Sequence, residues 1–377
     1  MPRRERTGWP KVDQTLSPAQ PLKEQGPMNI RIAPESLSQA AGRPISVAVV
    51  GATGAVGVEI RECLERSGLN LSNVRLLASK RSAGQSVPFA GGTLVIEELT
   101  DASFQGIDYA LFSAGSGISK EFGPKAVAAG AVVIDNSSAF RMDEAIPLVV
   151  PEVNLDVIPA QPGIIANPNC VAIIATVPLA PLNARHTIRR LNIATYQAAS
   201  GAGAAAMEEL RLSTAAYLAG EHYEPRVLKH PYAFNVFSHN AAVNPETGYN
   251  GEEEKVIEET RKIMRRPDLA ISITCVRVPV LRAHSMAVTV EFDEVVSPDT
   301  VRAILRDAPG VRIVEDIANN HFPMPNEASG QGDVLVGRIR RDVGDPSGRS
   351  IALFLAGDQL LKGAALNAVQ ILQQLVR

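Results

Sequence analysis

Three glycines spaced three apart, in Gly51-Ala52-Thr53-Gly54-Ala55-Val56-Gly57, follow the apolar run Ile45–Val50 and precede a stretch able to form a helix to about Ser67. No other feature constrains the fold as strongly. A buried strand that turns through glycines straight into a helix opens a doubly wound, parallel α/β sheet. Glycine permits the tight turn and lets a pyrophosphate approach the free N–H groups at the helix start. The spacing is G-x-x-G-x-x-G rather than G-x-G-x-x-G, and glycine turns after strands also serve packing alone. The next strand, Val74–Ala78, sharpens the reading. An NAD-binding sheet places Asp or Glu just after it for the ribose hydroxyls. Here that place holds Ser79-Lys80-Arg81-Ser82. Hydroxyls and cations suit a 2′-phosphate, which favours NADP(H) through Ser79, Arg81 and Ser82. Without the glycine loop, the same residues would read as a solvated basic turn.

Strand–helix alternation continues through Asp108–Ser113, Ile118–Ala129 and Val132–Asp135, giving a Rossmann-like nucleotide domain. After Cys170 the pattern changes. Arg189–Ala199, Ile271–Pro279, Ser285–Phe292, Val334–Arg340 and Ile351–Ala356 predict a large mixed, mostly antiparallel sheet, with helices at Gly203–Ala219 and Glu252–Met264. The second part is therefore an α+β domain, and 377 residues suit two domains better than one core. Residues 1–44 are rich in Pro, Gln, Arg and Ser without hydrophobic period and read as a poorly ordered extension, with Met28 an alternative start. Cys63, Cys170 and Cys275 form neither a metal-ligand pattern nor an even disulfide set, which predicts no metal and a reducing, cytoplasmic setting. A net charge of −3 and the lack of a bilayer-length apolar run point away from nucleic acid and membrane as partners.

Cys170 lies in Asn167-Pro168-Asn169-Cys170-Val171, and the apolar run Val171–Leu182 can carry a helix. A thiol at a helix N-terminus meets the positive end of the dipole and unpaired N–H groups, which favour thiolate and could hold an oxyanion. A buried, inert cysteine is the more common fate of such a residue. Small residues at strand ends, Ser113-Ala114-Gly115-Ser116-Gly117 and Ser200-Gly201-Ala202-Gly203-Ala204, would let a cofactor lie close, as would any ordinary loop.

Taken together, LASKRSAG (77–84), DNSSAFR (135–141), VVPEVN (149–154), NPNCV (167–171), YQAASGAG (196–203), EEEKVIEET (252–260), CVRVPVLRAHS (275–285) and DQLLKGAA (358–365) resemble the bacterial aspartate-β-semialdehyde dehydrogenases, in that family's order, over nearly all of residues 45–377. The resemblance implies a phosphate-releasing reduction of L-aspartyl-4-phosphate to aspartate semialdehyde, on the route to lysine, threonine, methionine and diaminopimelate. It implies Cys170 as the nucleophile that carries a thioester, His284 as acid/base and Gln197 as the group that orients the substrate. Arg277 would pair with the α-carboxylate and Glu252 with the α-ammonium. Arg141, Lys255 and Asn169 would surround the phosphate. NADP(H) would lie on Gly51, Thr53, Gly54, Ala55, Val56 and Gly57, on Ser113, Ala114 and Gly115, on Ser200, Gly201, Ala202 and Gly203, and on Gln359. The last helix would then return to the first domain, so that 45–169 and 357–377 form the NADP-binding part and 170–356 the catalytic and dimerisation part. A homodimer or homotetramer is implied as well. Glu252 and Lys255 stand one helical turn apart, so one face can present both; a plain surface pair has the same spacing.

Two other readings compete. N-acetyl-γ-glutamyl-phosphate reductase shares the fold and the cysteine chemistry, but its neutral amide has no use for Glu252. A non-catalytic NADP-binding homologue would be expected to have lost Cys170 or His284.

Overall fold

The structure, a computed structural model, describes residues 43–376. The expected extension and the alternative start at Met28 lie outside the described residues, apart from Arg43 and Pro44.

In the first half, β1 (Ile45–Val50) runs into α1 (Ala55–Arg66). There follow β2 (Leu71–Ala78), β3 (Ser86–Phe89), β4 (Gly92–Glu98), β5 (Tyr109–Phe112), α2 (Ser116–Ala128), β6 (Val132–Asp135), the one-turn α3 (Pro151–Asn154) and β7 (Ile164–Ala166). The sheet order is β3-β4-β2-β1-β5-β6-β7, parallel except for the edge strand β3. Strand side chains alternate between faces. Val47 and Val49 accordingly enter one hydrophobic cluster with Ile60 and Leu64 of α1, while Ala48 and Val50 enter another with Phe104 and Phe112. The hairpin β3–β4 and the strand β7 were not anticipated. Ser86–Phe89 is short and interrupted by Pro88, and β7 has three residues, too few for a period to show.

The second half runs α4 (Cys170–Arg185), β8 (Ile188–Gln197), α5 (Ala204–Ala219), β9 (Phe237–Ser238), α6 (Gly251–Met264), β10 (Ala270–Arg277), β11 (His284–Phe292), α7 (Pro298–Arg306), β12 (Val311–Ile313), α8 (Pro325–Ala328), β13 (Val334–Arg341) and β14 (Ser350–Gly357). Its sheet order is β12-β13-β14-β11-β8-β10-β9, with β8/β10 and β12/β13 parallel and the other pairs antiparallel. The helix α4 is apolar nearly all round, as a helix enclosed in a core must be. It is buried from Val171 to Leu179, in one cluster with the inner faces of β8, β10, β11 and β14.

Register then fixes where polar groups converge. Gln197 at the end of β8 pairs directly with Arg277 at the end of β10. On the other side of β8, Tyr196 faces Ser285, so His284 opens β11 at the same sheet edge. The chain leaves β14 opposite His284, passes through a π-helical turn, Leu361–Ala365, and continues as α9 (Leu366–Val376). Ala365, Ala368, Ile371 and Leu372 of this return share the cluster of Val47 and Val49. Among the described residues no helix is long and apolar enough to cross a membrane.

Candidate active site

The N-terminus of α4, the polar ends of β8, β10 and β11, and the π-helical turn enclose a cavity of about 460 Å³. Cys170, Asn169, Gln197, His284, Arg141, Glu252 and Arg277 all line it. So do Val56 of the glycine loop, Ser200, Gly201 and Ala202 after β8, and Gln359 before the π turn. One space thus joins the cysteine, the acid and base groups and the first turn of α1.

Cys170 opens α4, as expected, but its surroundings differ from the expectation. Asn169 is the N-cap, and its Oδ1 accepts from the Val171 N–H at 2.8 Å and the Ala172 N–H at 3.4 Å. Two donors foreseen for an oxyanion are therefore occupied by the cap. Nor does the thiol sit in a thiolate-favouring field here. Burial pushes it up to about 12, and the Glu252 carboxylate adds to that, outweighing Arg141, Arg277 and the Val171 N–H.

His284 is fully buried, and its Nδ1 accepts from the Ala198 N–H at 3.0 Å. A neutral imidazole that accepts at Nδ1 carries its proton on Nε2. Burial, aided by Arg277, holds the ring well below its usual range, so the neutral form prevails. Nε2 has no hydrogen-bond partner among the described residues, although it is buried. It is an unspent donor at the cavity wall.

The other polar groups are held by one another. Glu252 Oε1 accepts from Asn169 Nδ2 at 3.0 Å and from Gln197 Nε2 at 3.2 Å. Burial works to raise this carboxyl, but the neighbouring His239, the two amide donors and the Lys255 charge outweigh it and hold it below the usual carboxylate range. Arg141 is buried rather than solvated. Its Nε, Nη1 and Nη2 donate to Asn167 O, Glu259 Oε1 and Asn136 O at 3.0, 3.1 and 2.7 Å. Lys255 is not brought in with the rest: it is exposed and does not line the cavity. Three residues along a helix are 60° short of a full turn. The buried face of α6 runs through Glu252, Glu253, Val256, Glu259 and Thr260, which leaves Lys255 on the solvent side.

The glycine loop has the form that a dinucleotide requires. Gly51 has φ +85°, and a Cβ there would stand 2.9 Å from the Ser113 carbonyl carbon, with Ala114 N at 3.0 Å. A Cβ on Gly57 would collide with the Gly51 carbonyl oxygen. Gly54 caps α1 without a side-chain bond, and the first turn, with Ala55 and Val56, carries no acidic residue, so its N–H groups stay open to an anion. Thr53 is exposed on the loop. The Ser113 hydroxyl turns inward, bonding Val50 O at 3.1 Å and Gly51 O at 3.3 Å, so it braces the loop instead of facing outward. Gly115, φ +87°, caps α2, and Gly203, φ +89°, caps α5. Ser79, Lys80, Arg81 and Ser82 form a turn at the carboxyl end of β2, with the Ser82 N–H on Ser79 O at 2.8 Å; the first three are exposed.

Four residues matter here that sequence reasoning passed over. Glu259, 1% exposed, accepts from the Asn169 N–H at 2.5 Å and from Arg141 at 3.1 Å, tying the residue before the nucleophile to the buried arginine. His239 lines the cavity beside Arg277. Arg282, which the motif reading set aside, joins Glu59 of α1 to Asp358 after β14, at 2.6 and 2.7 Å. Gly363 packs on Cys170. The identical EEEKVIEET segment that supplied Glu252 contained Glu259 as well, but only the inward face of α6 distinguishes it.

The family described as semialdehyde dehydrogenase, NAD binding domain, matches residues 46–161, and that described as semialdehyde dehydrogenase, dimerisation domain, matches residues 179–362. The aspartate-semialdehyde dehydrogenase of Synechocystis sp. is 49% identical over 333 residues, covering 88% of this chain and 98% of that protein. The crystal structure of aspartate semialdehyde dehydrogenase II from Vibrio cholerae superposes with a TM-score of 0.85 at 40% identity, covering 89% of this chain and 99% of the other. A second structure of the Vibrio cholerae enzyme, complexed with ASA, matches with the same TM-score, identity and coverage. A nicotinamide-binding domain of Rossmann type, a dimerisation domain with a mixed sheet, and a cysteine cavity between them place this chain in the family of the aspartate-semialdehyde dehydrogenases, which are oxidoreductases.

Proposed function

We propose that this enzyme interconverts L-aspartyl-4-phosphate and L-aspartate-4-semialdehyde, with release or uptake of inorganic phosphate, through a thioester on Cys170. The observation that carries this is the set of fixed charges around one thiol. Glu252 matches an α-ammonium, Arg277 an α-carboxylate and Arg141 a phosphate, all lining the cavity that holds Cys170. In the reductive direction the Cys170 sulfur bonds to the acyl carbon as its proton passes to a departing phosphate oxygen, the carbon–oxygen bond to phosphate breaks, and phosphate leaves with the electron pair. Arg141 retains two unclaimed N–H donors for it. The cofactor, when bound, supplies the hydride that takes the thioester carbon to the aldehyde level. The His284 Nε2–H donates to the oxygen of the tetrahedral centre, and collapse of that centre returns the electrons of the carbon–sulfur bond to Cys170, whose thiolate then takes up a proton from water. Gln197 and Asn169, both held on Glu252, orient the amino-acid end. Lys255 acts from the rim, by charge.

The cofactor reading is NADP(H), supported by Ser79, Arg81 and Ser82 at the end of β2, where no carboxylate follows the strand. We read residues 45–169 with 357–377 as the cofactor-binding part, because α9 packs with β1, and 170–356 as the catalytic and dimerisation part. The second sheet would join two copies in a homodimer, or four in a homotetramer, in the cytoplasm, at the step that feeds lysine, threonine, methionine and diaminopimelate synthesis. The test is phosphate-dependent reduction of NADP, followed by absorbance, with L-aspartate-4-semialdehyde or N-acetyl-L-glutamate-5-semialdehyde. Faster turnover of the aspartate compound is expected. Preference for the acetylated one would assign the chain to N-acetyl-γ-glutamyl-phosphate reduction, in which Glu252 has no ammonium to meet.

A further inference from the structure

Arg277 ends β10 and is 3% exposed. A guanidinium has five N–H donors and no acceptor. Three protein groups take one each. Asn240 Oδ1 accepts from Nε at 3.2 Å, Ala198 O from Nη1 at 3.0 Å, and His239 Nε2 from Nη2 at 2.8 Å. One N–H remains on each terminal nitrogen, which is what a carboxylate accepts in a bidentate pair.

The bond from Arg277 dictates the state of His239. Arginine can only donate, so Nε2 must supply the lone pair and the ring's proton lies on Nδ1. Yet the Ala241 N–H also points at Nδ1, 3.2 Å away. The ring therefore meets two donors with one lone pair, and the shorter, charge-assisted contact with Arg277 claims it. Backbone pairing places the ring there: the His239 N–H donates to Cys275 O at 2.9 Å, beside β9 on the edge of β10. Burial and the Arg277 charge hold its pKa down at about 4, so it is a neutral acceptor at neutral pH. His284 has the opposite tautomer. Ala198 serves both sides, giving its N–H to His284 and its carbonyl to Arg277.

We propose that His239 is a positioning residue for recognition of the substrate carboxylate: its Nε2 fixes the plane of Arg277 so that the two remaining N–H donors meet that group. The inference rests on the reading of Arg277 as the carboxylate partner.

The test compares the wild type with H239L and H239Q on L-aspartate-4-semialdehyde and on 3-aminopropanal, which lacks the carboxylate. Loss of one charge-assisted bond predicts that H239L raises KM for the aspartate compound about tenfold or more, with kcat within about threefold. Its kcat/KM for 3-aminopropanal is expected to stay at the wild-type value. H239Q, whose amide oxygen can accept from Arg277, restores most of the loss. Equal loss on both aldehydes, a fall in kcat alone, or failure of glutamine to restore would overturn the assignment. Should the wild type turn over neither aldehyde, it is the proposed reaction that fails. His239 is then judged, as it is if H239L does not fold, by its tautomer in the wild-type enzyme labelled with ¹⁵N-histidine. A proton on Nδ1 supports the assignment, and one on Nε2 overturns it.

Discussion

Gly363 packs directly on Cys170: a Cβ built on the glycine would stand 2.9 Å from the cysteine Cβ and 3.4 Å from its Cα. The π-helical turn brings it there. The Gly363 N–H bonds Asp358 O and the Ala365 N–H bonds Leu360 O, each five residues back and each at 3.0 Å. Such wide turns recur at functional sites because they re-aim one stretch of helix. Alanine is intrinsically better than glycine in a helix by about 1 kcal/mol, so propensity alone would favour Gly363→Ala. Overpacking opposes it and displaces the sulfur. The expected result is a folded protein whose kcat falls on the order of 10–100-fold, as misplacement of a reacting atom does. Circular dichroism with steady-state kinetics checks this, and an unchanged kcat would mean that the contact does not set the sulfur's position.

Some of this was legible before any coordinates. Gly51 and Gly57 announced a strand–turn–helix because the turn itself excludes a side chain there, through φ +85° at Gly51 and the Gly51 carbonyl packed against Gly57. Cys170 announced a helix start because Pro168 and Asn169 precede an apolar run. Glu259, His239 and Gly363 gave no such signal. Their roles come from pairings across 90, 38 and nearly 200 residues of chain, and local periodicity carries no trace of those. Lys255 shows the converse limit. Its spacing from Glu252 suggested one shared face, but the helix turns Lys255 to solvent while Glu252 lines the cavity.

The thiol itself gives a prediction with a sign. Its pKa in the unliganded enzyme stands at about 12, above an ordinary cysteine, so little thiolate exists at pH 7. Alkylation by iodoacetamide should then accelerate about tenfold per pH unit from pH 7 to 9, without a plateau. A plateau below pH 8 would show that the helix N-terminus and the two arginines outweigh burial after all.

In the proposed reaction His284 enters as a hydrogen-bond donor and not as a titrating base. Removing a preorganised oxyanion donor costs about 10²–10³ in kcat. H284A is expected to lose that much at every pH from 6 to 9 while still binding NADP. The kcat profile of the wild type should show no limb from an imidazole in that interval, because its pKa lies well below 6.5. Parallel pH profiles of wild type and variant decide the point; a variant that loses activity only on the acid or the alkaline side would return His284 to proton transfer.

Glu259 is a stability residue with a functional reach. Glu259→Leu leaves the buried Arg141 charge and the Asn169 N–H without a partner, and stranding one member of a buried pair typically costs about 3–5 kcal/mol. Glu259→Gln keeps one acceptor oxygen but sets an NH2 donor against either the Arg141 or the Asn169 N–H, so it should recover only part of that loss. Thermal melts of the two variants separate packing from pairing. Equal losses would mean that the carboxylate's charge matters more than its acceptor oxygens.

Gly201 occupies the gap between the two groups that would read the substrate's ends. A Cβ there would lie 3.0 Å from Arg277 Nη1, 3.0 Å from His284 Cε1 and 3.1 Å from His284 Nε2. Its φ is not among the positive ones, so the backbone accepts alanine without strain. The added methyl therefore acts on the site and not on the fold. It stands against the carboxylate partner on one side and the unspent N–H donor on the other. Gly201→Ala should melt within a few degrees of the wild type while kcat/KM for the semialdehyde falls about a hundredfold or more, as expected when reacting groups are held apart. Near-normal turnover in a normally folded G201A enzyme would mean that substrate does not pass between Arg277 and His284, and the proposed placement of carboxylate and reacting oxygen would have to be given up.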